Sequence, residues 1–334
     1  MQVRILRLAA LAVLVSVAAA GCGKYSISNI RSLKAFQDAN NLYRKQDYQA
    51  AIERYHDAIR FNPDLGFAYF FLGNSHDMLY KPARRGEPAN DAHLPEAVAN
   101  YRLAIEKLSG ATDPQEQEYL KLSYQYLIAA YGTDKLNDFS KAEPVARELI
   151  SVEPENPGHY HTLGSLYENQ GMYEEAEAAF QKAVEIVPAD AYQYQMLAGF
   201  YNRQGEFDKT MEAFTERAEM EPNNPEAWHT MATFYWDKVF RDKTLPRATR
   251  IEYIEKGLEA DDKALAINPD YFEALSYKNI LLRALAEFRP PAEQRELLAE
   301  ADRLRDRAIE IQAQQAAAGE GAAAGAGSGS GGGR

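Results

Sequence analysis

The chain has 334 residues, of which 46% are hydrophobic and 26% are charged, a balance typical of folded proteins with a buried core. Its 49 acidic residues outnumber its 37 lysines and arginines, and this net charge of −12 argues against a nucleic-acid partner, which would require a basic surface. The single cysteine excludes an internal disulfide and a zinc site built from several cysteines.

Residues 1–21 have the composition of an export signal. Arg4 and Arg7 precede an apolar or small-residue run over 8–20, which only Ser16 interrupts. At about 13 residues this run is shorter than the ~20 that a membrane-spanning helix needs. The sequence therefore predicts a signal peptide rather than a transmembrane anchor.

The cysteine lies directly after this segment, in the sequence Ala19-Ala20-Gly21-Cys22. The pattern resembles the bacterial lipobox, in which Leu is preferred at the place of Ala19 and the cysteine is diacylated and becomes the mature N-terminus. The resemblance implies a lipoprotein anchored through Cys22, with 22–31 as a tether. Gly23, where an inner-membrane retention signal would have Asp, favours the outer membrane with the protein facing the periplasm. The alternative is cleavage after Ala20, which would release a soluble secreted protein.

A repeat of 34 residues organises the rest of the chain. It relates Pro154 to Pro188 and Pro222, and it relates aromatic residues in the same way. The copy over 157–188 has apolar residues at helical spacing in two stretches, roughly 160–170 and 174–187. A single such hairpin cannot cover its own apolar faces, so the pattern predicts stacked hairpins.

The residues that define this copy resemble the tetratricopeptide repeat: Tyr160, Leu163, Gly164, Tyr167, Gly171, Tyr173, Ala176, Phe180, Ala183 and Pro188. The resemblance implies an all-α fold, an α-α superhelical solenoid of about seven helix hairpins with a degenerate final pair as the cap. We place the repeats at about 32–65, 66–110, 119–156, 157–190, 191–224, 225–271 and 272–311. The Ala/Gly/Ser-rich residues 312–334 have little to bury, and we expect them to be disordered.

Two insertions, 81–95 and 240–250, fall between the first and second helix of their repeats and carry more basic than acidic residues. They are either solvated, tolerant loops or a second contact edge toward anionic lipid headgroups or an acidic partner.

The sequence offers no catalytic constellation. His159 and His161 are two residues apart, so on a regular helix they cannot ligate one metal ion. The other histidines have no acidic or cysteine partner at ligand spacing, and no nucleotide-binding, hydrolase or zinc-protease motif occurs. We expect no enzyme activity, cofactor or metal.

The family resemblance implies that the first helix of each repeat lines a groove that receives an extended peptide or a helix. Carried over by register, the groove residues are Phe36, Asn40, Tyr43, Phe70, Asn74, His161, Ser165, Asn169, Tyr192, Gln195, Asn202, Arg203, His229, Thr233 and Trp236. Some rings, such as Phe67 and Tyr192, could instead pack between repeats. Phe36 occupies the place of a lysine that grips carboxylates in one subfamily, so carboxylate-clamp binding is not expected.

The sequence thus predicts a membrane-anchored, non-catalytic scaffold that binds a protein or peptide, with no nucleic-acid partner. The rival prediction is a soluble secreted protein that uses the same aromatic groove for a solute or glycan.

Overall fold

A computed structural model of the chain describes residues 26–327, which form two compact units divided at Ala176 and Glu177. The predicted signal peptide, Cys22 and residues 328–334 lie outside the described residues. In the N-terminal unit the helices are α1 (Ile27–Arg44), α2 (Tyr48–Phe61), α3 (Gly66–Leu79), the short α4 (Pro88–Asp91), α5 (His93–Leu108), α6 (Pro114–Ala130), α7 (Phe139–Val152) and α8 (Pro157–Asn169).

The unit boundary falls within the next helix, α9 (Tyr173–Ile186). The C-terminal unit continues with α10 (Ala191–Gln204), α11 (Phe207–Met220), α12 (Pro225–Arg241), α13 (Arg247–Ile267), α14 (Phe272–Ala286) and α15 (Pro291–Gly327). Within each unit helices pair as hairpins, for example α1 with α2, α3 with α5 and α6 with α7 in the N-terminal unit, and α10 with α11, α12 with α13 and α14 with α15 in the C-terminal unit.

The helix starts follow from local chemistry. Asn156 and Asn224 each cap a helix by accepting a backbone N–H at 3.0 Å, and each is followed by a proline at the first helical position. Asp113 caps α6 in the same way ahead of Pro114, five residues before the predicted start of the third repeat. Gly171 and Gly205 have φ of +73° and +76°, the left-handed conformation that ends a helix without strain only at glycine.

Small residues let the helices of a hairpin approach each other. A Cβ atom added to Gly73 of α3 would lie 3.0 Å from the carbonyl oxygen of Ala97 and from the ring of Tyr101 on α5. Tyr101 and Tyr55 are fully buried beside such small residues. In the C-terminal unit, Phe180 and Phe200 stack with centroids 5.1 Å apart. The alternation of small and aromatic residues thus gives a close-packed interior.

The first insertion is ordered by its own residues. Between α3 and α5, buried Asn90 accepts the N–H of Lys81 at 2.8 Å and donates to the carbonyl oxygens of Lys81 and Arg84. Arg85 donates to the carbonyl oxygens of Asp134 and Lys135 in the loop that follows α6. Two cations of this insertion are therefore engaged within the chain, since Arg84 also pairs with Glu87.

Two further predicted boundaries differ from the structure. Helix α1 begins at Ile27, inside the predicted tether 22–31, because Ser26 caps it by accepting the N–H of Asn29 at 3.1 Å. Helix α15 continues to Gly327, through residues that we expected to be disordered, and its alanines are the strongest helix formers. Within residues 26–327, no helix combines the length and the apolarity needed to cross a bilayer.

Candidate functional site

Seven rings from three consecutive first helices form a continuous surface in the N-terminal unit. Phe36 of α1 lies 4.8 Å from Phe67 and 5.7 Å from Phe71 of α3, measured between centroids. Tyr119 of α6 lies 5.3 Å from Phe71. We call this surface the aromatic face, and its members are Phe36, Tyr43, Phe67, Phe70, Phe71, Tyr119 and Tyr126.

The aromatic face follows from helical spacing. Phe36 and Tyr43 are seven residues apart on α1, as are Tyr119 and Tyr126 on α6, so each pair lies two turns apart on one side of its helix. Most of these rings are half-buried, and Tyr126 is 37% exposed. Phe70 is only 5% exposed, which corrects its expected role as a ligand contact to a packing role beneath the other rings. Sequence analysis missed Tyr119 and Tyr126, although their seven-residue spacing was a usable signal.

Tyrosine hydroxyls and amides border this surface. The Tyr43 hydroxyl donates to Asn74 Oδ1 at 2.5 Å, and Asn74 Nδ2 lies 3.4 Å from the Tyr101 hydroxyl. The Tyr55 hydroxyl donates to Asn40 Oδ1 at 2.7 Å. The amide of Asn74 is only 3% exposed and is satisfied internally, so the expected role of Asn74 as an open ligand contact is corrected to a structural one.

A largely buried ion pair lies near Tyr43 of the aromatic face. Lys135 Nζ lies 2.6 and 2.8 Å from the two carboxylate oxygens of Asp77, whose side chain is 7% exposed. Burial, and then the nearby Tyr48, Tyr126 and Asp77, raise the pKa of Tyr43. The Tyr43 hydroxyl is therefore neutral at physiological pH and remains a hydrogen-bond donor.

The remaining predicted groove residues differ in accessibility. The exposed ones are Ser165 and Asn169 in the N-terminal unit and Tyr192, Gln195, Asn202 and Arg203 in the C-terminal unit. Thr233 and Trp236 are half-buried, and the Trp236 ring packs 5.7 Å from Phe240. His161 is 8% exposed and so offers little surface to a ligand.

His229 lies in the interior, which corrects its expected place in the groove. Its Nδ1 is 2.8 Å from Asp261 Oδ1, and its ring packs edge-on against Tyr271 and Tyr277. Asp261 is fully buried, and its Oδ2 has no hydrogen-bond partner among the described residues. Burial raises the pKa of Asp261 to about 6 despite the opposing effect of His229.

A recurring hydrogen bond ties each of two first helices to the second helix before it. The Tyr167 hydroxyl donates to Glu143 Oε1 at 2.9 Å, and 34 residues later the Tyr201 hydroxyl donates to Glu177 Oε1 at 2.8 Å. Lys209 Nζ also contacts Glu177, at 3.0 Å. In the C-terminal unit these residues line a cleft of about 520 Å³. The same hydrogen bond recurs after 34 residues, which indicates a structural role for both tyrosines.

The structure also pairs two histidines that the sequence separates. His76 Nδ1 and His93 Nδ1 are 3.2 Å apart, across the first insertion. Burial, and then His93 and His56, lower the pKa of His76 to about 4. Among residues 26–327 no group of three or more His, Cys, Asp or Glu side chains is placed to hold a metal ion.

Comparison with known proteins identifies the repeat. The family model described as tetratricopeptide repeat matches residues 160–190, the copy that sequence analysis found clearest. This copy is a tetratricopeptide repeat. The predicted all-α fold of tetratricopeptide hairpins is likewise confirmed.

A solved tetratricopeptide-repeat protein shares the fold. The C-terminal part of one from Cytophaga hutchinsonii matches with a TM-score of 0.51 and 17% identity, over 83% of this chain and 98% of that chain. One from Parabacteroides merdae matches with a TM-score of 0.42 and 17% identity, over 81% and 98% of the two chains. At these identities the likeness concerns the fold alone.

A curated relative matches over a short stretch. A pentatricopeptide repeat-containing protein of Arabidopsis thaliana is 57% identical over 35 residues, which is 10% of this chain and 8% of the relative. The chain therefore spans less than a tenth of the length of that relative.

Proposed function

We propose that this chain is a non-catalytic tetratricopeptide-repeat scaffold that binds a protein segment, an extended peptide or a helix, on its aromatic face. The proposal rests on one observation: seven rings from three consecutive first helices form one surface, and one of them, Tyr126, is 37% exposed. Aromatic rings already held by their neighbours lose little conformational entropy when a partner covers them.

The residues of the aromatic face indicate what kind of partner segment it binds. Half-buried rings favour aliphatic or aromatic anchors, which an amphipathic helix presents at three- and four-residue spacing. The amide oxygens of Asn40 and Asn74 already accept from tyrosine hydroxyls. Apolar contact with the rings therefore supplies most of the binding energy, and polar contacts fix the orientation.

Site-specific crosslinking tests the aromatic face. A photoreactive phenylalanine analogue replaces Tyr126 in cells, and mass spectrometry identifies the captured segment. The matched control places the analogue at Tyr173, which is 51% exposed and outside the aromatic face. We then expect Tyr126→Ala to weaken the affinity for the captured segment at least about tenfold, as for an interface hot spot, and Tyr173→Ala to leave it unchanged. Equal capture at both positions, or equal affinity of both variants, would contradict the assignment.

We further propose that Cys22 is acylated and anchors the scaffold to the bacterial outer membrane, facing the periplasm. The position of the one cysteine, directly after an export-type segment, supports this proposal. Metabolic labelling with palmitate should mark the wild-type chain and not Cys22→Ala. If the wild-type chain takes up no label and fractionates with soluble proteins, the anchor is wrong and the secreted alternative stands.

A further inference from the structure

The first helix presents an apolar side that no part of the described chain covers. Ile27, Ile30 and Leu33 of α1 are 71%, 56% and 42% exposed, and they follow each other at three-residue spacing. Large apolar side chains with this exposure at successive helical positions are uncommon on a surface that faces only water. We call the outward side of α1 over 27–34 the N-terminal face.

The opposite side of α1 fixes this orientation. Ser32 is buried, and its hydroxyl donates to the carbonyl oxygen of Ala58 at 2.8 Å. The Ser28 hydroxyl donates to the carbonyl oxygen of Phe61, and Asn62 Nδ2 donates to Asn29 Oδ1 at 2.9 Å. Small polar residues thus bind α1 to the end of α2, and the isoleucines must point outward.

The charged residues of the N-terminal face are all basic. Arg31 and Lys34 are exposed and lie within one turn of the isoleucines. The first acidic residue of the whole chain is Asp38, although the chain carries a net charge of −12. A helical side that combines apolar residues with cations is typical of a helix that lies in a membrane interface.

We infer that the N-terminal face lies against the anionic lipid surface of the bilayer to which Cys22 is anchored. The inference rests on the proposed lipid anchor. Five residue steps separate Cys22 from Ile27, at most about 17 Å of extended chain, so an acylated cysteine would hold this face at the headgroups. A second copy of the chain fits less well, because a symmetric contact would bring the Arg31 and Lys34 cations of both copies together.

Contact with anionic lipid would orient the scaffold. A lipid chain alone leaves the attached protein free to tilt, whereas a docked helix fixes α1 in the plane of the interface. Each cation near an anionic surface strengthens binding by about fivefold, so Arg31 and Lys34 together contribute about 25-fold. The apolar side chains add attraction that does not depend on lipid charge.

The single cysteine of the chain makes a direct test possible. Acylated Cys22 has no free thiol, so an environment-sensitive thiol dye labels only an introduced cysteine. The acylated full-length protein is reconstituted into vesicles of phosphatidylglycerol and phosphatidylcholine, or of phosphatidylcholine alone. The Ile30→Cys variant reports on the N-terminal face, and Phe240→Cys, at a side chain that is 58% exposed, is the matched control.

In anionic vesicles we expect the dye of the Ile30→Cys variant to emit at shorter wavelength and to resist acrylamide quenching, while the Phe240→Cys dye stays water-exposed. Adding Arg31→Gln and Lys34→Gln should lower the ratio of docked to undocked protein about 25-fold. Arg31→Gln and Lys34→Gln replace exposed side chains, so circular dichroism should show that the protein with these substitutions folds as the wild type does.

The possible failures can be told apart. Thiol labelling of the wild-type chain would show that Cys22 is not acylated, which overturns the anchor and with it this inference. Normal anchoring with a dye at Ile30→Cys that is as exposed as in Phe240→Cys would overturn the inference alone. Protection that rises with protein density and ignores lipid charge would do the same, in favour of a second copy.

Discussion

Replacing Asp261 with asparagine measures what it costs to bury a carboxylate beside His229. Asp261 is fully buried, and one of its oxygens, Oδ2, has no hydrogen-bond partner among the described residues. Asparagine keeps the shape and the oxygen that faces His229 Nδ1, but it carries no charge. The substitution therefore removes the desolvation penalty of the charge without opening a cavity, and the cost of burying the amide N–H groups that take the place of Oδ2 does not depend on pH.

The sign of the pH dependence follows from the raised pKa. Asp261 titrates at about 6 in the folded protein against 3.8 for the free side chain, so folding takes up a proton between these values. The free energy of unfolding of the wild type should then fall as the pH rises through this window, by about 3 kcal/mol in all. The asparagine variant lacks this loss, so its stability relative to the wild type should be about 3 kcal/mol more favourable at pH 8 than at pH 4.

Urea denaturation followed by tryptophan fluorescence provides the assay. Both tryptophans of the chain, Trp228 and Trp236, lie on α12 together with His229, so the signal reports the region of interest. Asp262→Asn is the matched control, because Asp262 is exposed and pairs with Lys278 at 2.7 Å. If the stability of Asp261→Asn relative to the wild type is no more favourable at pH 8 than at pH 4, burial does not destabilise the carboxylate and the reasoning fails.

Four further substitutions test packing, the recurring tyrosine bond and the histidine pair. Gly73→Ala places a methyl group 3.0 Å from the Tyr101 ring and should lower the free energy of unfolding in urea by about 1–3 kcal/mol. A methyl group added at Gly199 would lie 3.4 Å from its nearest neighbour, the end of a flexible side chain. Gly199→Ala should therefore raise the free energy of unfolding by about 0.5–1 kcal/mol. Equal effects of the two glycine substitutions would contradict the packing argument. Tyr201→Phe removes the hydroxyl that donates to a glutamate and should cost about 1 kcal/mol in the same assay, whereas no loss would show that water replaces the bond. His76 has its pKa lowered to about 4, so the wild type should lose stability as the pH falls from 6.5 towards 4. His76→Gln should reduce that loss by about 2 kcal/mol after allowance for partial solvent exposure, and parallel pH profiles would refute it.

The aromatic face shows which of its residues could be predicted from their positions in the repeat. Phe36 and Tyr43 are predicted groove residues from their positions in the repeat, and in the structure both rings belong to the aromatic face. Tyr119 was not found, because α6 begins at Pro114 and carries this ring on turns that precede the repeat pattern. A repeat register says which side of a helix a residue occupies only where the helix keeps the length of the repeat.

The side of a helix on which a residue lies does not determine how deeply its side chain is buried. Asn74 and His229 occupy groove positions by register, yet both are buried, because Tyr43 and Tyr101 enclose the first and Tyr271 and Tyr277 enclose the second. Accessibility depends on the size of side chains in neighbouring helices, and a pattern within one repeat does not contain that information.

The sequence by itself determined the hairpins of this protein. A period of 34 residues, small residues where helices approach, and Asn-Pro or Asp-Pro pairs at helix starts are local signals, and each acts within a few turns of chain. Only the tertiary structure decided the long-range pairs, namely Asp77 with Lys135, His229 with Asp261, and Arg85 with the loop after α6. These partners are at least 32 residues apart, and their meeting depends on how whole helices stack, which spacing along the chain does not specify.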